Sequence, residues 1–230
     1  METMQLHPVA YMRSDFPSKF GIPRQSGLVE ELRSMIVFEP EYRNDDALRG
    51  IEEYSHLWLI WQFSQAVRQD WSPTVRPPRL GGNVRMGVFA TRSPFRPNHL
   101  GLSCVRLLEK RHTKEFGTVL IVGGADLMDG TPIFDIKPYI PYGDCIPQAT
   151  GGFTDRVGNF LLKVDFPQEL LEMLPEEKRG AAIGVLSHDP RPSYQKAPDR
   201  VYGLTFSGFD IRFRVSEDHL QVESVEPATP

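Results

Sequence analysis

Across roughly the first 140 residues, apolar side chains come in short runs broken by proline and glycine, with little helical periodicity. Residues 6–12, 28–38, 55–63, 84–91, 102–110, 118–127 and 133–141 each read as a strand. The apolar run Leu57, Trp58, Leu59, Ile60 and Trp61 marks a central, buried one. The helical exception is a short turn over 44–49, with Asn44 as its cap. The 133–141 strand ends in prolines and reads as an edge. Residues 14–27 read as a loop. Many short strands without interleaved helices favour a small closed β-barrel or a strongly curled sheet over a doubly wound α/β fold.

The pattern changes after an irregular stretch at 143–154, which contains Gly151 and Gly152. Residues 160–166 read as a strand, and 167–174 and 176–186 as helices joined across Pro175. Residues 201–206, 209–215 and 220–225 read as an antiparallel meander turning at Ser207-Gly208 and Glu217-Asp218. The chain is therefore expected to be mainly β, α+β overall, with one domain over 1–145 and a small α+β domain over 155–230.

The densest chemistry lies in Thr91-Arg92-Ser93-Pro94-Phe95-Arg96-Pro97-Asn98-His99-Leu100-Gly101-Leu102-Ser103. Pro94 and Pro97 fix φ, so Arg92 and Arg96 are held with little entropy left to lose. From Trp71 to Leu108 there is no Asp, Glu or Lys, while Arg76, Arg79, Arg85, Arg92, Arg96 and Arg106 are all present. Arginine's planar fork suits phosphate or carboxylate, and the exclusion of acids points to an anion-binding surface rather than a solvated face. The net charge of −4 means that any nucleic-acid binding must rest on a local patch, because bulk charge does not supply it.

Other signals are sparse. No Rossmann fingerprint, Walker A motif or HExxH is present, and Cys104 and Cys145 sit in no CxxC or Cys/His spacing. Cys104, inside a strand pattern, reads as a small buried apolar residue. Nothing in the opening residues has the form of a signal peptide, and the longest apolar run is too short to cross a bilayer, so a cytoplasmic protein without membrane contact is expected. His56, just ahead of a strand, is in a place where histidine is most often a structural hydrogen-bonder. His99, inside the arginine loop, is the stronger functional candidate. Asp126 and Asp129 read either as a paired acid/base set or, for Asp129-Gly130, as a plain turn. Taken alone, these residues describe a β-rich protein whose cationic loop faces an acidic turn. That combination suits a ligand with both an ammonium or sulfonium and an anionic group.

Five segments then resemble one family: Pro23-Arg24-Gln25-Ser26-Gly27, Ser55-His56-Leu57-Trp58, Arg76-Pro77-Pro78-Arg79-Leu80-Gly81-Gly82, the 91–103 loop and 126–141. Together they look like the TsaA/TrmO family of tRNA methyltransferases. Asp189-Pro190-Arg191-Pro192-Ser193-Tyr194 resembles the C-terminal part of its bacterial members. The family usually has Pro where this chain has Ser26, and Pro and Ile where it has His99 and Leu100. The resemblance implies an N-terminal single-sheeted β-barrel that binds S-adenosylmethionine, with a small C-terminal α+β domain that assists with tRNA. It implies a homodimer that methylates N6 of N6-threonylcarbamoyladenosine beside the anticodon of threonine tRNA. Cofactor contacts carry onto Gln25, Ser26, Gly27, Ser64, Gln65, Arg92, Leu102, Asp126, Leu127, Met128 and Asp129. Candidates for catalysis are Arg96, His56 and His99. Candidates for substrate binding are Arg76, Arg79, Arg96, Tyr139, Arg191 and Tyr194, with the arginines suited to phosphates and the tyrosines to stacking. In this picture Arg96 would meet the threonyl carboxylate. In-line methyl transfer is mostly a matter of positioning and needs no metal. The competing readings are a non-catalytic RNA-binding barrel, which would have no reason to bind S-adenosylmethionine, and a metal-free hydrolase, for which no nucleophile stands in a recognisable setting.

Overall fold

A computed structural model of the chain describes residues 4–67, 70–157, 160–191 and 200–229. The first part contains β1 (Ala10–Arg13), β2 (Arg33–Phe38), β3 (His56–Gln62), β4 (Thr74–Val75), β5 (Met86–Gly87), β6 (Leu100–Thr113), β7 (Gly117–Gly123) and β8 (Pro132–Pro138). Two one-turn helices follow, α1 (Pro141–Asp144) and α2 (Phe153–Arg156). The remainder holds β9 (Lys163–Asp165), α3 (Gln168–Leu171), α4 (Glu176–Ser187), β10 (Tyr202–Phe206), β11 (Phe209–Ser216) and β12 (His219–Pro227).

Six strands run in the order β1-β2-β7-β6-β3-β8, all antiparallel, and β8 pairs back onto β1, so the sheet closes on itself. Strict alternation decides which side chains face inward. In β3, Leu57, Leu59 and Trp61 are buried, whereas His56, Trp58 and Ile60 face outward and are half covered. Ala10, Met12, Ile36, Leu57, Leu59, Val105, Leu120, Val122 and Ile133 fill the interior. Each fully buried aliphatic side chain contributes roughly 1.5–3 kcal/mol. Gly101, opposite Trp61 in the β3–β6 register, is required by this packing. A Cβ there would collide with the Trp61 indole.

Several elements differ from expectation. β8 is no edge: it lies between β3 and β1, with its prolines at the two ends, where no ladder bond is lost. The strand expected over 84–91 shrinks to the two residues of β5, followed by a 3₁₀ turn over Val88–Ala90. Its alternating pattern finds β4 as its partner rather than the closed sheet, and it buries Val88 while leaving Phe89 exposed. Expected strand 28–38 begins as turns and becomes β2 at Arg33. The expected helix over 167–174 is the single turn of α3. The Asn44 cap forms as expected, with its side chain accepting the Asp46 N–H.

The later elements build a second core. β10, β11, β12 and β9 pair in that order, with β9 parallel to β12, and α4 buries Ala181, Ala182, Val185 and Leu186 against them. This core also takes in Phe16, Val29 and Leu32, with Phe20 and Ile22 packed against it. The expected 14–27 loop is thus a strap that crosses from the closed sheet into the second core. Phe16 packs on Phe206 with ring centroids 5.4 Å apart. Lys178 Nζ donates to both carboxylate oxygens of Asp15 at 2.8 and 2.6 Å, and Ser207 N–H donates to Asp15 O.

Gly21 makes that seating possible. Its φ of +84° is left-handed, and a Cβ would overlap Leu204 Cδ1. Gly21→Ala is expected to lower unfolding stability by about 2 kcal/mol. Urea denaturation measures this, and an unchanged midpoint would show that the strap is not held as described.

Candidate functional site

The site arises where two strands part. β6 pairs with β7 from Arg106↔Gly123 onward, whereas residues 100–105 pair with β3. Beyond Gly123, Gly124 takes a left-handed φ of +69° and turns the chain away. The strap enters the space so vacated. Gly27 N–H donates to Gly124 O at 2.8 Å, and Cys104 N–H donates to Ser26 Oγ at 3.2 Å. A Cβ on Gly124 would lie 3.1 Å from Gly27 Cα, so the approach needs glycine there.

Asp126 anchors this notch. Trp61 Nε1–H donates to Ser103 Oγ at 2.9 Å, and Ser103 Oγ–H donates to Asp126 Oδ1 at 2.6 Å. Burial pushes the Asp126 carboxyl above its ordinary range. The Ser103 hydroxyl, the backbone of Asp126 and Ser26, and the charge of Arg92 pull the other way. Arg92 also donates from Nη1 to Gln25 Oε1, linking the arginine loop to the strap. Gln25, Ser26, Gly27, Arg92 and Asp126 are therefore brought together from three separate segments. Trp61 and Ser103, the buried relay beneath them, were not singled out as site residues in the sequence. The signal available was Gly101, whose missing side chain makes room for the indole.

The other expected contacts divide. Leu127 is fully buried in the sheet interior and offers no side chain to a ligand. Met128 O accepts the Thr131 hydroxyl at 2.7 Å. The Asp129 carboxylate accepts Ser14 N–H at 3.0 Å and lies 3.4 Å from Arg13, so it ties down the start of the strap and is not paired with Asp126. Leu102 faces outward and is half exposed. Ser64 and Gln65 lie in the exposed turn after β3, which joins the arginine loop through Phe63 N–H to His99 O at 2.9 Å.

Among the catalytic candidates, His56 and Gln62 stand at opposite ends of β3, about 20 Å apart at strand spacing, so His56 is far from the arginine loop. His56 Nδ1 lies 2.9 Å from Ser55 Oγ, and its ring meets Tyr139 edge-on at 6.2 Å. His99, at a left-handed φ of +51°, closes the loop through its backbone, its N–H reaching Arg96 O. Arg96 Nη1 donates to Thr91 O at 3.1 Å and to Ser93 O at 3.4 Å, bracing its own loop.

Tyr139 packs on Trp58 at 5.8 Å, and Trp58 Nε1–H donates to Asp144 at 3.0 Å, forming an aromatic shelf on the outer face of β3 and β8. Cys104, expected to be buried, is partly covered at its edge, and burial and the Asp144 charge push its thiol up. Arg191 is paired with Asp189 through Nε and Nη2 at 2.8 and 2.9 Å, with its side chain only 10% exposed. Its fork is thus engaged within its own loop. Arg76 follows β4, and the backbone of Arg79 lies in a 3₁₀ turn, Pro78–Leu80. Tyr194 and the Arg79 side chain lie outside the described residues.

The chain is similar to known proteins over nearly its whole length. The model of the tRNA-methyltransferase O N-terminal domain matches residues 11–145, and that of the TrmO C-terminal domain matches 160–228. A tRNA (adenine(37)-N6)-methyltransferase of Escherichia coli K12 is 40% identical over 235 residues, covering 99% of this chain and 100% of the relative. A Pseudomonas aeruginosa protein provisionally named an S-adenosylmethionine-dependent methyltransferase is 39% identical over 219 residues, 92% of each chain. A crystal structure of TrmO from P. aeruginosa superposes with a TM-score of 0.79 at 33% identity over 99% of both chains.

Because the raised Asp126 pKa means the folded chain holds that proton more tightly than the unfolded chain, the contribution of Asp126 to stability is greatest below the ordinary Asp range and is lost as pH rises through the folded value. Asp126→Asn is therefore expected to raise the melting temperature at pH 7 by a few degrees and to give no gain near pH 3. Thermal scans across pH check this. An equal shift at both pH values would mean that the buried charge is not the cause.

Proposed function

The chain belongs to the tRNA-methyltransferase O family, and we propose that it transfers the methyl group of S-adenosylmethionine to N6 of adenine 37 in tRNA. The observation that carries this reading is the notch between β6 and the strap, where Gln25, Ser26, Arg92 and Asp126 converge on one another. These residues fit the cofactor chemically. A half-buried carboxylate suits ribose hydroxyls, an arginine suits a carboxylate, and the Gly27–Gly124 contact brings backbone close where a side chain on Gly124 would intrude.

S-adenosylmethionine supplies an electrophilic methyl group on a sulfonium. The residues of this chain hold, orient and desolvate. Asp126, fixed by the Trp61–Ser103 relay, sets the depth of the notch. Arg92, fixed by Gln25, closes its rim. Displacement at the methyl carbon gains most from such positioning.

Finer points belong to the same proposal. The adenine already carries a threonylcarbamoyl group, the tRNA is a threonine tRNA, and the enzyme works as a cytoplasmic homodimer. Residues 1–145 form the cofactor-binding barrel and 155–230 the domain that assists with tRNA. Arg96, whose loop-bracing bonds use Nη1, directs the rest of its fork to the threonyl carboxylate. Arg76 and Arg79 meet phosphates. The Trp58–Tyr139 shelf stacks on an unpaired base, a contact typical of single-stranded RNA recognition. His99 stands in the arginine loop as the candidate to take the proton from N6.

The test is mass spectrometry of tRNA nucleosides after incubation with the protein and isotopically labelled cofactor. One methyl gained on the modified adenosine is expected, and none gained refutes the function. Arg92→Ala is expected to weaken cofactor binding at least tenfold by calorimetry. Arg96→Ala is expected to keep cofactor binding and lose activity on the modified tRNA, and normal methylation by that variant would overturn its role.

A further inference from the structure

We infer that His188 is a positioning residue for the cofactor wall, and that through it α4 sets the affinity of the notch. The inference rests on the notch being the S-adenosylmethionine site. His188 caps the C-terminus of α4, and its N–H donates back to Leu186 O. Its ring Nε2 lies 2.9 Å from Leu28 O, 160 residues earlier in the chain, in a half-buried position. Since the partner is a carbonyl, Nε2 carries the proton and donates.

Leu28 immediately follows the three strap residues that face the notch. Its neighbour Gly27 is bonded to Gly124 O, Ser26 Oγ accepts Cys104 N–H, and Gln25 accepts from Arg92. A shift of the Leu28 peptide is therefore transmitted to all three contacts at once. The helix is pressed against the same segment by its small residues. A Cβ on Gly184 would lie 2.6 Å from Val29 Cγ1, and one on Gly180 would lie 3.3 Å from Glu31 Cγ. So α4 grips the strap by packing at Val29 and Glu31 and by a directed hydrogen bond at Leu28. Packing sets the distance between helix and strap. The hydrogen bond fixes the rotation of the Leu28–Val29 peptide, one residue beyond Gly27.

Two replacements separate this role from bulk stability. His188→Phe keeps a ring of similar size and removes the donor, whereas His188→Gln keeps a donor near the Nε2 position. In the cofactor-free protein, His188→Phe is expected to speed amide hydrogen exchange at Gly27 and Cys104 about tenfold, and His188→Gln to restore it to within about twofold. Calorimetry is expected to show S-adenosylmethionine affinity falling about tenfold in His188→Phe, recovering in His188→Gln, with tRNA affinity unchanged in both.

Wild-type exchange at Gly27 and Cys104 in His188→Phe would overturn the inference, as would loss of affinity that the glutamine does not restore. The exchange measurement needs no cofactor. If the unaltered protein failed to bind S-adenosylmethionine, the notch assignment would fall while exchange still decided whether His188 positions the strap.

Discussion

The candidate site hangs on the docking of residues 14–32 into a core built mostly from the C-terminal half of the chain. Phe16, Val29 and Leu32 are buried among residues of α4 and of β10 to β12, and Asp15 is held by Lys178. A partly buried ion pair gains little by itself, but removing one partner strands the other charge, so the pair enforces one seating rather than adding much stability. With the strap seated, its far end falls where β6 and β7 part, and the polar residues of the site come into reach of one another.

The site is a product of interruption. A sheet that continued past Gly123 would bury the edge of β6 under another strand. Gly124 ends the pairing, and Ser26 and Gly27 replace the lost strand with a serine hydroxyl and a bare backbone. This satisfies exposed backbone groups, as any covered segment must, with Asp126 close by. The carboxylate there is held in an environment that resists its charge, with Ser103, Ser26 and Arg92 offsetting that resistance. Such opposed contributions are common where a group is kept ready for a ligand rather than for stability.

Much of this was legible in the residues, for identifiable reasons. Alternation in β3 and in the C-terminal meander announced strands because each buries one face only. The arginine loop stood out because proline and the absence of acids are visible without a fold. Other features were hidden by the same logic. The 14–27 segment looked like a loop because its apolar residues have no period, and they are buried by a partner nearly 200 residues away. Residues 84–91 alternate like a strand, but a pattern cannot show that no long partner strand is available. Asp126 and Asp129 look equivalent three positions apart, yet one faces the notch and the other the strap. His188 carried no sequence signal at all, since its partner is a main-chain carbonyl.

The closed sheet has a further consequence, for the order of events as the chain leaves the ribosome. β1 cannot complete its pairing until β8 emerges about 120 residues later, and such distant contacts form slowly. The strap waits longer still, because α4 and Phe206 lie far beyond it in the chain. Until then Phe16, Phe20 and Ile22 stay uncovered, as an apolar surface on an otherwise finished sheet. A nascent chain in that state is open to chaperones and to aggregation, and it leaves that state only when α4 and β10 to β12 are made.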